Sequence, residues 1–254
     1  MLVSSEAVVL RSRKQGDTSK IVALYTNAYG LIDVIAKGAR EMKSKFGSAL
    51  EPFTCSKVTF YKKAGKELYL LSGAETVLPF RNLQSDLDHI EAATDVIELL
   101  LRSQHHEESH PELFSLVKET LGAIDAAKEG PAIWPVLYTY YIRYIHYAGF
   151  QMQLESRSTN ASRVHYFDVE RGEVIEMDGN ARGESERLHK LSPESLACLQ
   201  HIGRSTISAG TNLRVSAGAR HTLENLFRSY FAFHIEGMQH NRSRSGRVFS
   251  AIGK

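Results

Sequence analysis

The chain has 254 residues, 43% of them hydrophobic, a formal net charge of +2 at pH 7 and only two cysteines. That is enough apolar content for one large core or two to three small ones, and too few thiols, with no Cys-x-x-Cys pair, for a disulfide framework. No apolar run approaches the roughly 20 residues of a membrane-spanning helix, and Met1-Leu2-Val3-Ser4-Ser5-Glu6 has no basic stretch leading into an apolar one, so a folded, soluble, cytoplasmic protein with no membrane partner is expected.

The net charge hides three blocks. Residues 1–66 hold twelve Lys/Arg against five Asp/Glu, a balance of +7; residues 67–200 hold eleven against twenty-two, a balance of −11; residues 201–254 hold eight against two, a balance of +6. Two basic ends around an acidic centre offer a polyanion one favoured face. The plainer reading is solvated surface charge.

In chain order, Ala7-Val8-Val9-Leu10-Arg11 is β-rich, and Gln15-Gly16-Asp17 supplies turn chemistry before a second strand, Ile21–Thr26. Asn27-Ala28-Tyr29-Gly30 turns the chain into Leu31–Ala36, and Phe53–Tyr61 with Glu67–Leu71 give two more strands around Lys62-Lys63-Ala64-Gly65. Five short strands with a basic connection predict an OB-like barrel over residues 1–79; a small SH3-like barrel is the alternative from strand count alone. After Pro79 the apolar period becomes helical. Leu83, Leu87, Ile90, Val96, Ile97, Leu100 and Leu101 form one stripe up to Ser103, and Leu113, Phe114, Leu116, Val117, Leu121 and Ile124 form another after Pro111. A third helix is expected from about Trp134 to Ala148, capped by Gly149. Its tyrosines, Tyr138, Tyr140, Tyr141, Tyr144 and Tyr147, invite a base-stacking reading, but rings spread around a helix normally pack inward. Residues 80–150 therefore read as the first part of a helical domain. Residues 151–190 read as an insertion with one hairpin, Tyr166-Phe167-Asp168 into Glu173-Val174-Ile175, and residues 191–238 as the second helical part, with Ser192 as N-cap and a last helix over Leu223–Ile235. Residues 239–254 form a basic tail. The fold class is thus α+β, a five-stranded N-terminal barrel followed by helices with a small β-hairpin insertion.

Catalytic spacings are missing: there is no G-x-S-x-G, no H-E-x-x-H and no phosphate-cradling G-x-x-x-x-G-K-[ST]. Gly16-Asp17-Thr18-Ser19-Lys20 lacks the second glycine of such a loop, and His105, His106 and His110 have no thiolate or placed carboxylate to complete a metal set. No catalytic residue, metal or cofactor is expected. A nuclease would need acidic metal ligands near the basic face, whereas the acids lie mostly in the middle block. The basic residues stand out instead. Lys37, Arg40, Lys43 and Lys45 crowd the end of the third strand, Arg11, Arg13 and Lys14 flank them, Lys20 follows the first turn, and Arg242, Arg244 and Arg247 lie in the tail. Cations in such a cluster bind phosphate without reading bases and release counterions as they do so. The candidate DNA-binding set is therefore Lys37, Arg40, Lys43, Lys45, Arg11, Arg13, Lys20, Arg242, Arg244 and Arg247. A protein-interaction scaffold that binds acidic tails, with incidental DNA contact, is the rival reading.

The strings Ala7-Val8-Val9-Leu10-Arg11-Ser12-Arg13, Asp17-Thr18-Ser19, Tyr25-Thr26, Gly30, Ala36-Lys37-Gly38-Ala39-Arg40 and Ala49-Leu50-Glu51-Pro52-Phe53-Thr54 resemble the N-terminal domain of the RecO recombination-mediator family. The resemblance implies an OB fold, a central helical domain, binding of single- and double-stranded DNA, and strand annealing. It also implies partnership with a RecR-like clamp and with the tail of single-strand-binding protein, helping a RecA-like recombinase onto coated DNA. Many members of that family carry a four-cysteine zinc module after the third helix. This chain has no cysteine between Cys55 and Cys198, and Ser156, Arg157 and Asn160 stand near the expected first thiolate pair. His165 and His189 alone do not make a tetrahedral set, so no structural zinc is expected.

Overall fold

The computed structural model describes residues 1–128, 130–156, 163–178, 187–210 and 212–235. Two compact units emerge: residues 1–150 with 201–216, and residues 151–200 with those from 217 on.

The first unit begins with a closed barrel of strand order β1-β2-β3-β5-β4, from β1 (Leu2–Gln15), β2 (Ser19–Thr26), β3 (Gly30–Ala36), β4 (Cys55–Tyr61) and β5 (Leu68–Leu78). This is the OB arrangement. β3 and β5 pair in parallel and the other neighbours antiparallel. The fourteen-residue β1 serves two partners, Leu2–Val8 facing β4 and Ala7–Gln15 facing β2, and the register shift between Val9 and Arg11 bends it from one to the other. Alternation then directs Val9, Val22, Leu24, Ile32, Val34, Val58, Phe60, Tyr69 and Leu71 inward, joined by Phe46, Ala49 and Leu50 from the β3–β4 connection. Phe60 sits 5.5 Å from both Tyr29 and Tyr69, ring to ring.

Several strand bounds differ from the sequence reading. β4 starts at Cys55 because Phe53 adopts φ 69 and donates its N–H to the Val9 carbonyl, a left-handed turn invisible in hydropathy. β5 continues to Leu78 through Ser72-Gly73-Ala74, where the register shifts opposite Thr59 and Phe60. β1 starts at Leu2, before any apolar alternation is established.

Helices α1 (Leu87–Ser103), α2 (Pro111–Ala126) and α3 (Gly130–Tyr147) pack on one another, and the short α5 (Ile207–Gly210) packs against α3. α1 begins at Leu87, not Leu83, because the Asp86 carboxylate accepts from the His89 N–H and caps it. α3 begins at Gly130, four residues before the expected Trp134, with Gly130-Pro131 in its first turn. Its C-terminus closes at Gly149, with the N–H groups of Ala148, Gly149 and Phe150 donating to Tyr144, His146 and Ile145. Tyr138, Tyr140 and Tyr144 are buried and Tyr141 donates to Asp95, so these rings are core rather than base-stacking surface.

The segment between α1 and α2 fastens the helices to the barrel. Glu107 N–H donates to Leu31 O (3.0 Å), Ser109 Oγ to Asn27 O (2.9 Å), and Lys118 pairs with Glu6 at 2.9 Å. Lys62 pairs with the Glu107 carboxylate at 2.7 Å, Tyr69 donates to the same group, and the Lys62 ammonium lies over the rings of Tyr29 and Tyr69. The hydrogen bonds from Lys62 and then Tyr69 hold the Glu107 carboxyl below its ordinary range. A lowered native pKa stabilises the fold above the ordinary glutamate range and loses that contribution as pH falls through the native value. Glu107→Gln is therefore expected to lower the urea midpoint at pH 7 and to leave it near wild type at pH 3, read by fluorescence of Trp134.

In the second unit β6 (Arg163–Asp168) pairs with β7 (Glu173–Asp178), Tyr166 facing Ile175 as the hairpin required. A third strand unseen in the sequence, β8 (Leu188–Leu191), lines the other edge of β6. Phe167 is fully buried, 6.0 Å from the Tyr230 ring of α6 (Ala217–His234). α6 starts six residues before the expected Leu223, its first turns being small and polar. α4 (Pro193–Arg204) starts after Ser192, whose Oγ accepts from Ser195 N–H. Among the described residues no helix is long and apolar enough to cross a membrane.

Candidate nucleic-acid interface

Antiparallel pairing puts the end of β1, the start of β2 and the end of β3 side by side. Arg13 faces Ile21, which faces Ile35; one step back, Arg11 faces Ala23, which faces Asp33. These positions are absent from the barrel core and belong to its outer face. The chain then leaves β3 with Lys37 and folds back on the β1–β2 turn. Arg40 fixes that fold: its N–H donates to Thr18 O, and its guanidinium to the carbonyls of Gly16 and Asp17, each at 2.9 Å. The connection is thus clipped over the turn, and Lys37 and Arg40 come beside Arg13 and Lys14.

The ten residues singled out from sequence do not share one state. Arg11, Arg13, Lys37 and Lys43, with Lys14, are exposed, and no ion pair engages them among the described residues. Lys45 donates to Ser72 O at 2.7 Å and lies over the Phe46 ring. Lys20 pairs with Glu51 at 2.9 Å with its side chain only 21% exposed, so its charge is already met. Arg40 spends two donors on the turn and keeps its charge. Arg242, Arg244 and Arg247, like Arg157 and Asn160, lie outside the described residues.

Sequence reasoning passed over Lys63 and Lys66. Both are exposed in the β4–β5 loop, and in an OB barrel that loop and the β1–β2 loop border the same ligand face. The signal was present as Lys62-Lys63-Ala64-Gly65-Lys66, but it had been read only as a turn. Hydrated, unpaired ammonium and guanidinium groups on braced loops meet phosphates at little cost in desolvation or ordering, and the attraction depends steeply on salt.

The second unit does not fit the zinc module implied by the resemblance. His165 Nε2 lies 3.2 Å from Ser156 Oγ and 3.8 Å from Glu176, while His189 Nε2 is buried without a hydrogen-bond partner. Burial pushes the Cys198 thiol up to about 11. Two imidazoles with no available thiolate do not make a tetrahedral site, and among the described residues no three His, Cys, Asp or Glu side chains gather as metal ligands. In the α1–α2 segment the His110 ring packs edge-on against Tyr147 at 5.4 Å, and His106 bridges Leu31 through its backbone.

Comparison with known proteins bears on the whole chain. It matches the family described as "Recombination protein O N terminal" over residues 1–80 and "Recombination protein O C terminal" over residues 84–244. Similar proteins include "DNA repair protein RecO" of Salinibacter ruber, 29% identical over 248 residues, 96% of this chain and 92% of the relative. The protein of the same name from a Nocardioides strain is 31% identical over 246 residues, 93% and 96% of the two chains. With both halves matched in order around an OB barrel whose basic end is exposed, the chain belongs to the RecO family of DNA repair proteins.

Proposed function

We propose that the protein is a recombination mediator without catalytic residues, which binds single- and double-stranded DNA, promotes annealing of complementary strands and, with a RecR-like clamp, loads a RecA-like recombinase onto DNA coated by single-strand-binding protein. The observation that carries the reading is the group Arg11, Arg13, Lys14, Lys37 and Lys43: five exposed cations, free of ion pairs among the described residues, at the ends of β1 and β3 and on the loop clipped across them. Annealing requires only that two polyanions be neutralised and concentrated, after which base pairing drives the product. The barrel, residues 1–79, would hold the phosphates; the helices of residues 80–150 and 191–238, with the tail 239–254, would extend the surface and meet the protein partners, including the acidic tail of single-strand-binding protein. Such work belongs in the cytoplasm at the nucleoid.

An annealing assay tests this reading. Complementary fluorescent oligonucleotides coated with single-strand-binding protein are expected to anneal at least about tenfold faster with the protein than without it, the gain vanishing as salt rises. Equal rates with and without the protein at low salt would refute the annealing activity.

A further inference from the structure

The outer face of the barrel carries an apolar stripe that neither folding nor phosphate binding explains. Leu2 on β1 pairs with Tyr61 on β4, Tyr61 with Leu70 on β5, and Leu70 with Ile35 on β3, giving one row across four strands. Leu68 lies one step along from Leu70 on the same face. Leu2 is 53% exposed, Tyr61 50%, Leu68 41% and Leu70 38%. Apolar surface held open to water in a row, rather than scattered, marks a contact site.

What lies at the two ends of this stripe identifies the occupant. Beyond Ile35 along β3 come Lys37 and the clipped loop, with Arg13 in the same row through Ile21. At the opposite end is the β4–β5 loop, where exposed Lys63 and Lys66 outnumber the exposed Glu67 and where Glu107 is already engaged by Lys62. Asp33 faces Leu68 and Ile35 faces Leu70; the ladder ends there, His106 takes the place beside Leu31, and the loop that carries Lys66 leaves β5 at the Leu68 end, away from Lys37. At about 3.3 Å per residue the four residues from Asp33 to Lys37 span about 13 Å along β3, with the Lys63–Lys66 loop beyond the Asp33 end. Asp33 lies between the two cation groups on this face and disfavours a phosphate in the middle.

Cations at both ends, with an acid and an apolar row between, suit a chain whose charges can sit at the ends while its uncharged faces lie down in the centre. Resting on the DNA-binding reading above, we infer that Tyr61, Leu70, Leu68 and Ile35 form a platform for unpaired bases of a single strand whose phosphates are held by the Lys37 and Lys63–Lys66 ends. Tyr61 supplies the ring on which a base stacks and the leucines its apolar continuation. A duplex, whose bases are already stacked on each other, gains nothing from the platform, so this stripe is what favours single strands. It is one side chain wide, too small to supply the roughly 800 Å² per partner of a stable protein interface.

The test uses the full chain with Tyr61→Ala, Tyr61→Phe and Leu70→Asn, titrated against a dT oligonucleotide and a duplex of equal length. Thermal unfolding monitors the fold, which these outward positions leave intact. Expected are losses of single-strand affinity of at least about fivefold for Tyr61→Ala and Leu70→Asn, an unaltered salt slope, duplex affinity within about twofold of wild type, and recovery in Tyr61→Phe, which keeps the ring. Unchanged single-strand affinity in both apolar variants, while Lys37→Glu still weakens binding, overturns the platform and points to a protein occupant, leaving the DNA-binding reading in place. If Lys37→Glu and the other basic-end reversals are also without effect, the DNA-binding reading itself falls.

Discussion

Gly30→Ala is expected to destabilise the first unit by about 3 kcal/mol, the sum of a left-handed backbone and a steric conflict. Gly30 opens β3 with φ 63, and a Cβ there would lie 1.9 Å from the carbonyl oxygen of Glu108. Backbone cannot rotate away as a side chain would. To admit the methyl group, the α1–α2 segment must lift from the barrel, straining the bonds of Glu107 to Leu31 and Ser109 to Asn27. Gly16→Ala is the matched control: its φ is 58, but nothing lies within 4 Å of the added carbon, so only the backbone cost of about 1–2 kcal/mol applies. Urea unfolding of the two variants separates the terms. Equal losses would mean that barrel and helices do not meet as closely as described.

The second large effect is on DNA. Reversing Lys37 and Lys43 together to Glu is expected to weaken single-strand binding at low salt by more than about tenfold and to lower the log–log salt slope by about 1.4, since each phosphate contact on a single strand contributes about 0.7. Both side chains are exposed and no ion pair engages them among the described residues, so the unfolding midpoint should not move. Lys20→Glu provides the contrast. Its ammonium already faces Glu51, and reversal is expected to cost stability rather than DNA affinity. Arg40 is a poor choice for the same experiment because its guanidinium also holds the carbonyls of Gly16 and Asp17; replacing it would release the loop that carries Lys37.

How much of this was legible beforehand follows from which interactions are local. Strand alternation and the change to helical period are local, so the five-stranded barrel, the α+β class, the hairpin at Tyr166 and the N-cap at Ser192 were readable. The bounds that failed depend on backbone geometry or on distant partners: Phe53 in a left-handed turn against Val9, Gly130-Pro131 as a helix start, and β8 lying along β6. The cluster at Lys37 was visible as composition, but its division into free and engaged cations was not. Glu51 meets Lys20 across 31 residues, and Arg40 meets Gly16 across 24. The outer stripe was hidden for a related reason. Leu2, Tyr61, Leu70 and Ile35 share a row only because the strands are staggered as the barrel closes, and no window of sequence contains that shift.

Cations at the basic end of the barrel meet the phosphates, and the affinity of the unmodified protein for a single strand at two salt concentrations tests this most directly. If the five cations Arg11, Arg13, Lys14, Lys37 and Lys43 each neutralise one phosphate, raising salt from about 50 to about 200 mM should weaken binding by about a hundredfold. Absence of binding at the lower salt, or an affinity indifferent to salt, would contradict it.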